Sequence, residues 1–262
     1  MSDEVTLTDN AARGYEAEFV PALFAEWASR LTTWAEVQRD DTVLDVGCGT
    51  GVLAREVASR LGVKQNVTAV DINESMLAVA KEIEPDIAWH QADATALPFA
   101  DNSFDVVMSQ FMLMFVPDRE AALREMWRVL KPGGRLLVTV WSDSPVYQAL
   151  AHYCYEAGLV QIAESFDAFF ALADEVKLRD IAVAAGLQAP HLQVEGGAVN
   201  FASVEDFVRV EISGWVLSDV LDDQAEAQLH ERAIREVAAY MDESGSVRFP
   251  MNAHLLLSTK NG

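Results

Sequence analysis

The sequence predicts an α/β fold with a doubly wound, mostly parallel sheet, and three observations predict it. Residues Val43–Gly51, VLDVGCGTG, read as a short apolar strand with an acidic residue near its end, followed by glycines at alternate positions 47, 49 and 51. Beyond them, strand-like and helix-like segments alternate as far as Trp141. Asp45, Asp71, Asp93 and Gln110 all fall at or just past the carboxyl ends of those strands, where open α/β sheets bind their ligands.

The elements follow in order. Phe19, Val20, Leu23, Phe24, Trp27, Leu31 and Trp34 recur at spacings of three and four, so Tyr15–Gln38 is expected to be an amphipathic helix, kinked or divided at Pro21. Val43, Leu44 and Val46 form an apolar run suited to a strand buried on both faces, Thr42–Val46. The glycines let the chain turn tightly and approach a ligand before helix Val52–Leu61 begins. Next are expected strand Val67–Asp71, helix Glu74–Ile83, strands Ile87–Gln91 and Phe104–Ser109, helix Arg119–Leu130 and strand Arg135–Trp141. Right-handed crossovers between such strands give a parallel sheet covered on both faces. Asp118 caps the helix at 119, and Lys131-Pro132-Gly133-Gly134 stops it and turns the chain.

Farther along, Pro145–Ala157 and Asp174–Ala185 read as helices, and Gly186 ends the second ahead of a strand around His191–Phe201. Ser203-x-x-Asp206 resembles a capping box opening an apolar helix with Phe207, Val208 and Trp215. A longer amphipathic helix is expected over Asp222–Met241, with Leu229, Ala233, Val237 and Met241 on one stripe. Gly245 breaks the chain before a last strand, Phe249–Thr259. Without a flexible linker or an internal repeat, residues 1–262 are read as one domain.

Composition narrows the function. Nineteen basic against 41 acidic residues give a formal charge of −22, which repels phosphate backbones and anionic membrane surfaces, so neither nucleic acid nor membrane is an expected partner. Cys48 and Cys154 do not make a disulfide framework, and the acidic N-terminus MSDEVTLTDN lacks the apolar core of a signal peptide. A reduced, cytoplasmic setting is expected. No His, Cys or carboxylate group has metal-ligand spacing, and no metal is expected.

Strand, glycine loop and helix together make a nucleotide-type pocket. A dinucleotide fingerprint, G-x-G-x-x-G, would need its third glycine at Val52; the spacing here is G-x-G-x-G. Asp71 lies about 20 residues past the glycines, as expected of a carboxylate that holds a ribose diol. The loop, with QADATALPF (91–99), SFDVVMSQ (103–110) and RVLKPGGRLLV (128–138) in that order, resembles the class I S-adenosylmethionine-dependent methyltransferases, nearest to the ubiquinone/menaquinone-biosynthesis type. The resemblance is specific over residues 40–141.

It implies a Rossmann-like, seven-stranded sheet with an antiparallel last strand. Residues 1–40 would form a helical cover, 41–141 the cofactor-binding core, and 203–243 a helical insertion acting as a lid. The cofactor would be S-adenosyl-L-methionine, leaving S-adenosyl-L-homocysteine. The amides of Gly47, Gly49 and Gly51 suit its carboxylate, Asp45 its ammonium and Asp71 its ribose hydroxyls. Asp93 would receive the adenine amino group and the Ala94 amide the adjacent ring nitrogen, with Ile72 and Leu97 on the two faces of the purine. Gln110 and Phe111–Phe115 stand where the acceptor pocket begins, and Tyr15 is a candidate cover contact.

Trp141, Tyr147, Phe170, Phe207 and Trp215 are expected to face the same opening, which suits a small apolar or aromatic acceptor. Transfer from a sulfonium needs alignment and exclusion of water more than acid–base chemistry. The five histidines are isolated, and an ordinary structural or surface role is expected for each; His152 is the best-placed candidate base, but no catalytic residue is assigned. The competing readings are a cofactor-binding protein without turnover and a nicotinamide-dependent oxidoreductase.

Overall fold

The computed structural model describes residues 9–213 and 223–261. Its strands are β1 (Val43–Val46), β2 (Val67–Asp71), β3 (Ala88–Gln91), β4 (Phe104–Gln110), β5 (Leu130–Asp143), β6 (His191–Glu195), β7 (Ala198–Phe201), β8 (Val247–Pro250) and β9 (Asn252–Thr259). Seven make one sheet in the order β3-β2-β1-β4-β5-β9-β6, and β7 with β8 forms a two-stranded ribbon. β3, β2, β1, β4 and β5 run parallel, and β9 lies antiparallel to both β5 and β6. This is the expected mostly parallel seven-stranded sheet with its last strand reversed.

Side chains alternate across the pleat. Leu44, Val46, Val107, Leu136 and Val138 enter one apolar cluster, whereas Val43, Val106, Met108 and Leu137 enter a second on the opposite face. All four residues of β1 are buried, Asp45 among them. A fully buried central strand delivers a carboxylate to the carboxyl edge of the sheet, where water cannot easily compensate it.

Several expected elements are redrawn. Tyr15–Gln38 holds two pieces, a wider i→i+5 turn segment Tyr15–Phe24 that contains Pro21 and helix Ala25–Trp34, and a further helix, Asp9–Gly14, leads into the first. Proline has no N–H to donate, and the widened winding accommodates that missing bond without ending the helix. Lys131–Gly134 lies within β5 rather than before it: the register passes from Phe104↔Leu130 to Val106↔Arg135, so these residues bulge out between two paired stretches.

The segments read as single strands, His191–Phe201 and Phe249–Thr259, each divide in two. Gly196-Gly197 and Met251 are the breaks, and a Cβ on Gly197 would stand 2.2 Å from Trp27 Cζ2 and 2.8 Å from the Met251 carbonyl. Only glycine permits that approach. A helix not read from the sequence, Val160–Phe169, packs on helix Pro145–Glu156.

Within the 203–243 segment, Ser203 Oγ accepts from the Asp206 amide at 3.0 Å, as the capping pattern requires. The helix there runs Val204–Val208 and widens over Arg209–Ser213. The second helix covers Asp223–Val237 and ends in a 3-10 turn, Ala238–Tyr240. Trp215 and the rest of 214–222 lie outside the described residues.

Candidate active site

The glycine loop is tied to the neighbouring strand at three points. The Gly47 and Cys48 amides both donate to the Val70 carbonyl, at 2.8 and 3.0 Å, and the Gly49 amide donates to Asp71 Oδ2 at 2.7 Å. Gly51, at φ +90°, stands at the N-cap of helix Val52–Leu61. A side chain there would need a left-handed backbone and would place its Cβ 2.3 Å from the Trp89 ring.

Asp45 lies beneath the loop. Its Oδ2 accepts from the Ala54 amide at 3.0 Å, in the first turn of the same helix, where the partial positive charge of the helix end favours an anion. Its Oδ1 is buried and has no hydrogen-bond partner among the described residues. Burial pushes the Asp45 carboxyl up to about 7, against the opposing pull of the Ala54 amide.

Asp71, at the end of β2, takes the Gly49 amide on one oxygen and the Asn73 amide on the other at 2.9 Å. Burial raises its pKa while those amides oppose the rise. Each carboxylate oxygen keeps one lone pair after these bonds, enough for two further donors. Ile72 follows with its side chain 52% exposed. Asp93 is exposed and accepts from the Thr95 amide and hydroxyl, both at 2.8 Å. Ala94 is half-buried and Leu97 buried, the Leu97 amide donating to Glu125 Oε2 at 2.9 Å. The glycine loop and Asp71 are thus hydrogen-bonded to each other, Asp45 is bonded to the helix that follows the loop, and Ile72, Asp93, Ala94 and Leu97 stand on the loops past β2 and β3.

Gln110 belongs to the cover as much as to the sheet. Its Nε2 donates to the Phe24 carbonyl at 3.1 Å, and its buried Oε1 has no partner among the described residues. The cover reaches the loop directly: the Tyr15 ring lies 3.8 Å from where a Gly49 Cβ would be, and Met112 closes over Gly47 in the same way.

Two buried or half-buried charged groups are absent from the sequence reading, and one of them, Arg55, holds the glycine loop from outside it. Arg55 Nη2 pairs with Glu16 Oε1 at 2.7 Å and its Nη1 donates to the Thr50 carbonyl, which clamps the cover to the helix behind the loop. Arg55 sits on the polar side of an ordinary amphipathic helix and gives no periodic signal. Glu211 is different: it falls four residues after Phe207, on that helix's apolar stripe, and an acidic residue in such a register was a readable sign of a buried carboxylate.

One expectation about the acceptor region is corrected, and one candidate is removed. His152 has a side chain 72% exposed and stands 3.3 Å from Glu156 on the same helix, so it is a surface residue one turn from its partner and no candidate base. The aromatic residues do not line one opening. Trp141 stacks on Phe111 at 3.5 Å and meets Trp27 edge-on at 5.8 Å, whereas Tyr147 gathers with Phe166, Phe169, Phe170 and Phe249. Trp141, Tyr147 and Phe207 are fully buried because each fills the space between the sheet edge and a covering helix.

Among the described residues no group of three or more His, Cys, Asp or Glu could hold a metal ion, and no helix is long and apolar enough to cross a membrane.

Comparison with known proteins bears on the family and the fold. A family model described as methyltransferase domain matches residues 44–138. The chain is 39% identical over 154 residues to the ubiquinone/menaquinone biosynthesis C-methyltransferase UbiE of Klebsiella pneumoniae, covering 54% of this chain and 61% of that protein. The UbiE of Escherichia coli O1:K1 / APEC is 38% identical with the same coverage. The chain therefore spans about three-fifths of the length of these curated relatives.

Among solved structures, phosphoethanolamine N-methyltransferase 2 of Haemonchus contortus, in complex with phosphomonomethylethanolamine and S-adenosylhomocysteine, superposes with a TM-score of 0.65 at 21% identity, covering 99% of this chain and 60% of that one. A methyltransferase-like protein of Bacillus halodurans gives 0.60 at 21% identity, covering 90% of this chain and 99% of that one. At such identities these two likenesses concern the fold.

Proposed function

We propose that this chain, a class I S-adenosylmethionine-dependent methyltransferase in the span matched by its relatives, transfers a methyl group to a small aromatic acceptor. The observation that carries the reading is the glycine loop bonded to Asp71, with the buried and unpartnered Asp45 Oδ1 at its entrance. A buried carboxylate oxygen left without a donor is costly, and an ammonium, directly or through one water, is the partner it fits. S-adenosylmethionine presents such an ammonium beside a carboxylate; the Gly47, Gly49 and Gly51 amides already donate to Val70, Asp71 and Cys48, so that carboxylate meets the positive end of the helix that follows rather than those three amides. When bound, the cofactor supplies an activated methyl on sulfur.

The chain's own residues do the rest. Asp71 accepts from the ribose diol through the lone pairs that Gly49 and Asn73 leave free. Asp93 and the Ala94 amide meet the adenine edge, and Ile72 and Leu97 its faces. Gly47, Gly49 and Gly51 keep the loop low enough for the methionine end to lie against the backbone. Tyr15, Met112 and the Arg55–Glu16 clamp exclude water from the reacting centre, which matters most for a displacement that needs no general acid. The described parts of the 203–243 segment, residues 203–213 and 223–243, act as the lid over the acceptor. The similarity to C-methyltransferases of ubiquinone and menaquinone biosynthesis supports a quinol-type ring as acceptor and carbon as the attacked atom.

Asp71→Ala is expected to weaken S-adenosylhomocysteine binding by about 1–3 kcal/mol, because two buried hydroxyls lose their acceptor. Isothermal titration of the purified variant reads this directly; unchanged affinity would put the ribose elsewhere. The reaction itself is tested by following S-adenosylhomocysteine release with a panel of small hydroquinones, phenols and amines. Turnover on a ring acceptor supports the proposal. Cofactor binding without release on the whole panel favours a binding protein.

A further inference from the structure

Three buried polar atoms beside the glycine loop have no hydrogen-bond partner among the described residues: Asp45 Oδ1 from β1, Thr50 Oγ1 from the loop itself and Glu16 Oε2 from the N-terminal cover. Asp45 and Thr50 are each 1% exposed. The three share one neighbourhood. Arg55 holds Glu16 by its other oxygen at 2.7 Å and also donates to the Thr50 carbonyl, while Asp45 accepts from the Ala54 amide, one residue before Arg55. The Tyr15 phenol beside them is raised by burial first and then by the charges of Asp71, Glu16 and Asp45, so all three carboxylates act on its hydroxyl.

The open atoms define what fits them. Asp45, Asp71 and Glu16 are not grouped closely enough to hold a metal ion. An organic ammonium carries three N–H donors and no acceptor, which matches two carboxylate oxygens and one hydroxyl oxygen. Charge agrees, because the three carboxylates outnumber Arg55 and a buried anion without a counter-charge is costly. The clamp to Arg55 does not account for Glu16 by itself. It uses one carboxylate oxygen, and the second is buried with nothing to bind, which native structures rarely leave without a reason.

We propose that Glu16 is a cofactor-binding residue, its free carboxylate oxygen joining Asp45 Oδ1 and the Thr50 hydroxyl in holding the ammonium of S-adenosylmethionine. This rests on the methyltransferase reading above and extends it to the cover. Asp45 comes from the sheet and Glu16 from the segment Tyr15–Phe24, so the ammonium ties the two together. The cover is then part of the binding site as well as its shield against water. Arg55 is a positioning residue, which engages one Glu16 oxygen and leaves the other for the ligand.

The test compares two ligands that differ by one group. The intact chain, Glu16→Gln and Asp45→Asn are each titrated with S-adenosylhomocysteine and with its deaminated analogue, in which hydrogen replaces the amino group and the carboxylate stays. The wild type is expected to prefer S-adenosylhomocysteine by about tenfold or more. Glu16→Gln is expected to lose about tenfold in S-adenosylhomocysteine affinity and to bind the deaminated analogue no worse than the wild type, because the lost charge and the lost amine belong to one contact. Glu16→Asp keeps the charge, is expected to retain part of the preference, and serves if Glu16→Gln does not fold. A parallel loss of both ligands in Glu16→Gln, which marks a clamp and nothing more, overturns the proposal, and so does a wild type without preference. A preference kept in full by Glu16→Gln but lost in Asp45→Asn also overturns it while leaving the cofactor reading standing. Failure of the wild type to bind S-adenosylhomocysteine would instead remove the methyltransferase reading itself.

Discussion

Asp45→Asn is expected to make the ligand-free protein more stable at pH 8 and its cofactor affinity worse. Asp45 is 1% exposed, and burial holds its carboxyl near 7 instead of the ordinary 3.8. Between those values the folded chain binds more protons at this site than the unfolded chain does. Stability from this group is therefore fully present below about pH 4 and declines as pH rises through 7, the reverse of a salt-bridged carboxylate. The rise corresponds to at most roughly 4 kcal/mol. Asparagine keeps an oxygen for the Ala54 amide and removes the buried charge, so a gain of about 1–3 kcal/mol at pH 8 is expected, vanishing near pH 4. The same change deletes the anionic partner of the ammonium, costing about 1.5–3 kcal/mol of cofactor binding. Thermal melts across pH with a parallel titration of S-adenosylhomocysteine check both halves. A variant destabilised at pH 8 would mean that Asp45 is an ordinary helix cap.

Trp141→Ala is expected to cost about 3–5 kcal/mol, the largest loss from one side chain in this region. Trp141 is 1% exposed, lies flat on Phe111 with 9° between the rings, and touches Trp27 and Phe24 on its other sides. Those four rings join the end of β5 to both covering segments, and no neighbour can move in to fill the space of an indole. In a chain of this size the loss lowers the melting temperature by roughly 10 °C. Phe24 also supplies the carbonyl that receives Gln110, so cofactor affinity is expected to fall with stability. Val176→Ala, at a side chain 66% exposed, is the control and should shift stability by less than about 0.5 kcal/mol. Equal melting of the two variants would mean that the ring cluster does not anchor the cover.

The core of the fold was legible because its signals are local. β1, the three glycines and Asp71 lie within one strand–loop–helix–strand stretch, and a continuous apolar run followed by alternate glycines has few other uses. The Asp118 and Ser203 caps were readable for the same reason, each bond closing within three residues. What escaped depends on contacts distant in the chain. Gly197 looks like any turn glycine until Trp27, far earlier in the sequence, is placed against it. The division of two long strands into β6, β7, β8 and β9 follows from that contact. Pro21 signals a break by its chemistry, and the widened winding that absorbs it is set by the burial of Phe19, Val20, Leu23 and Phe24 around it. The aromatic residues after β5 were read as pocket and are core, because composition cannot say which side of a ring meets protein.

The most direct test of the central claim, that Gly47–Gly51 with Asp45 and Asp71 forms an S-adenosylmethionine site, is calorimetric titration of the purified chain with S-adenosylmethionine, S-adenosylhomocysteine and NADH. Micromolar binding of the first two with no heat from NADH is the predicted result. Binding of NADH alone would contradict it and leave the fold without its proposed chemistry.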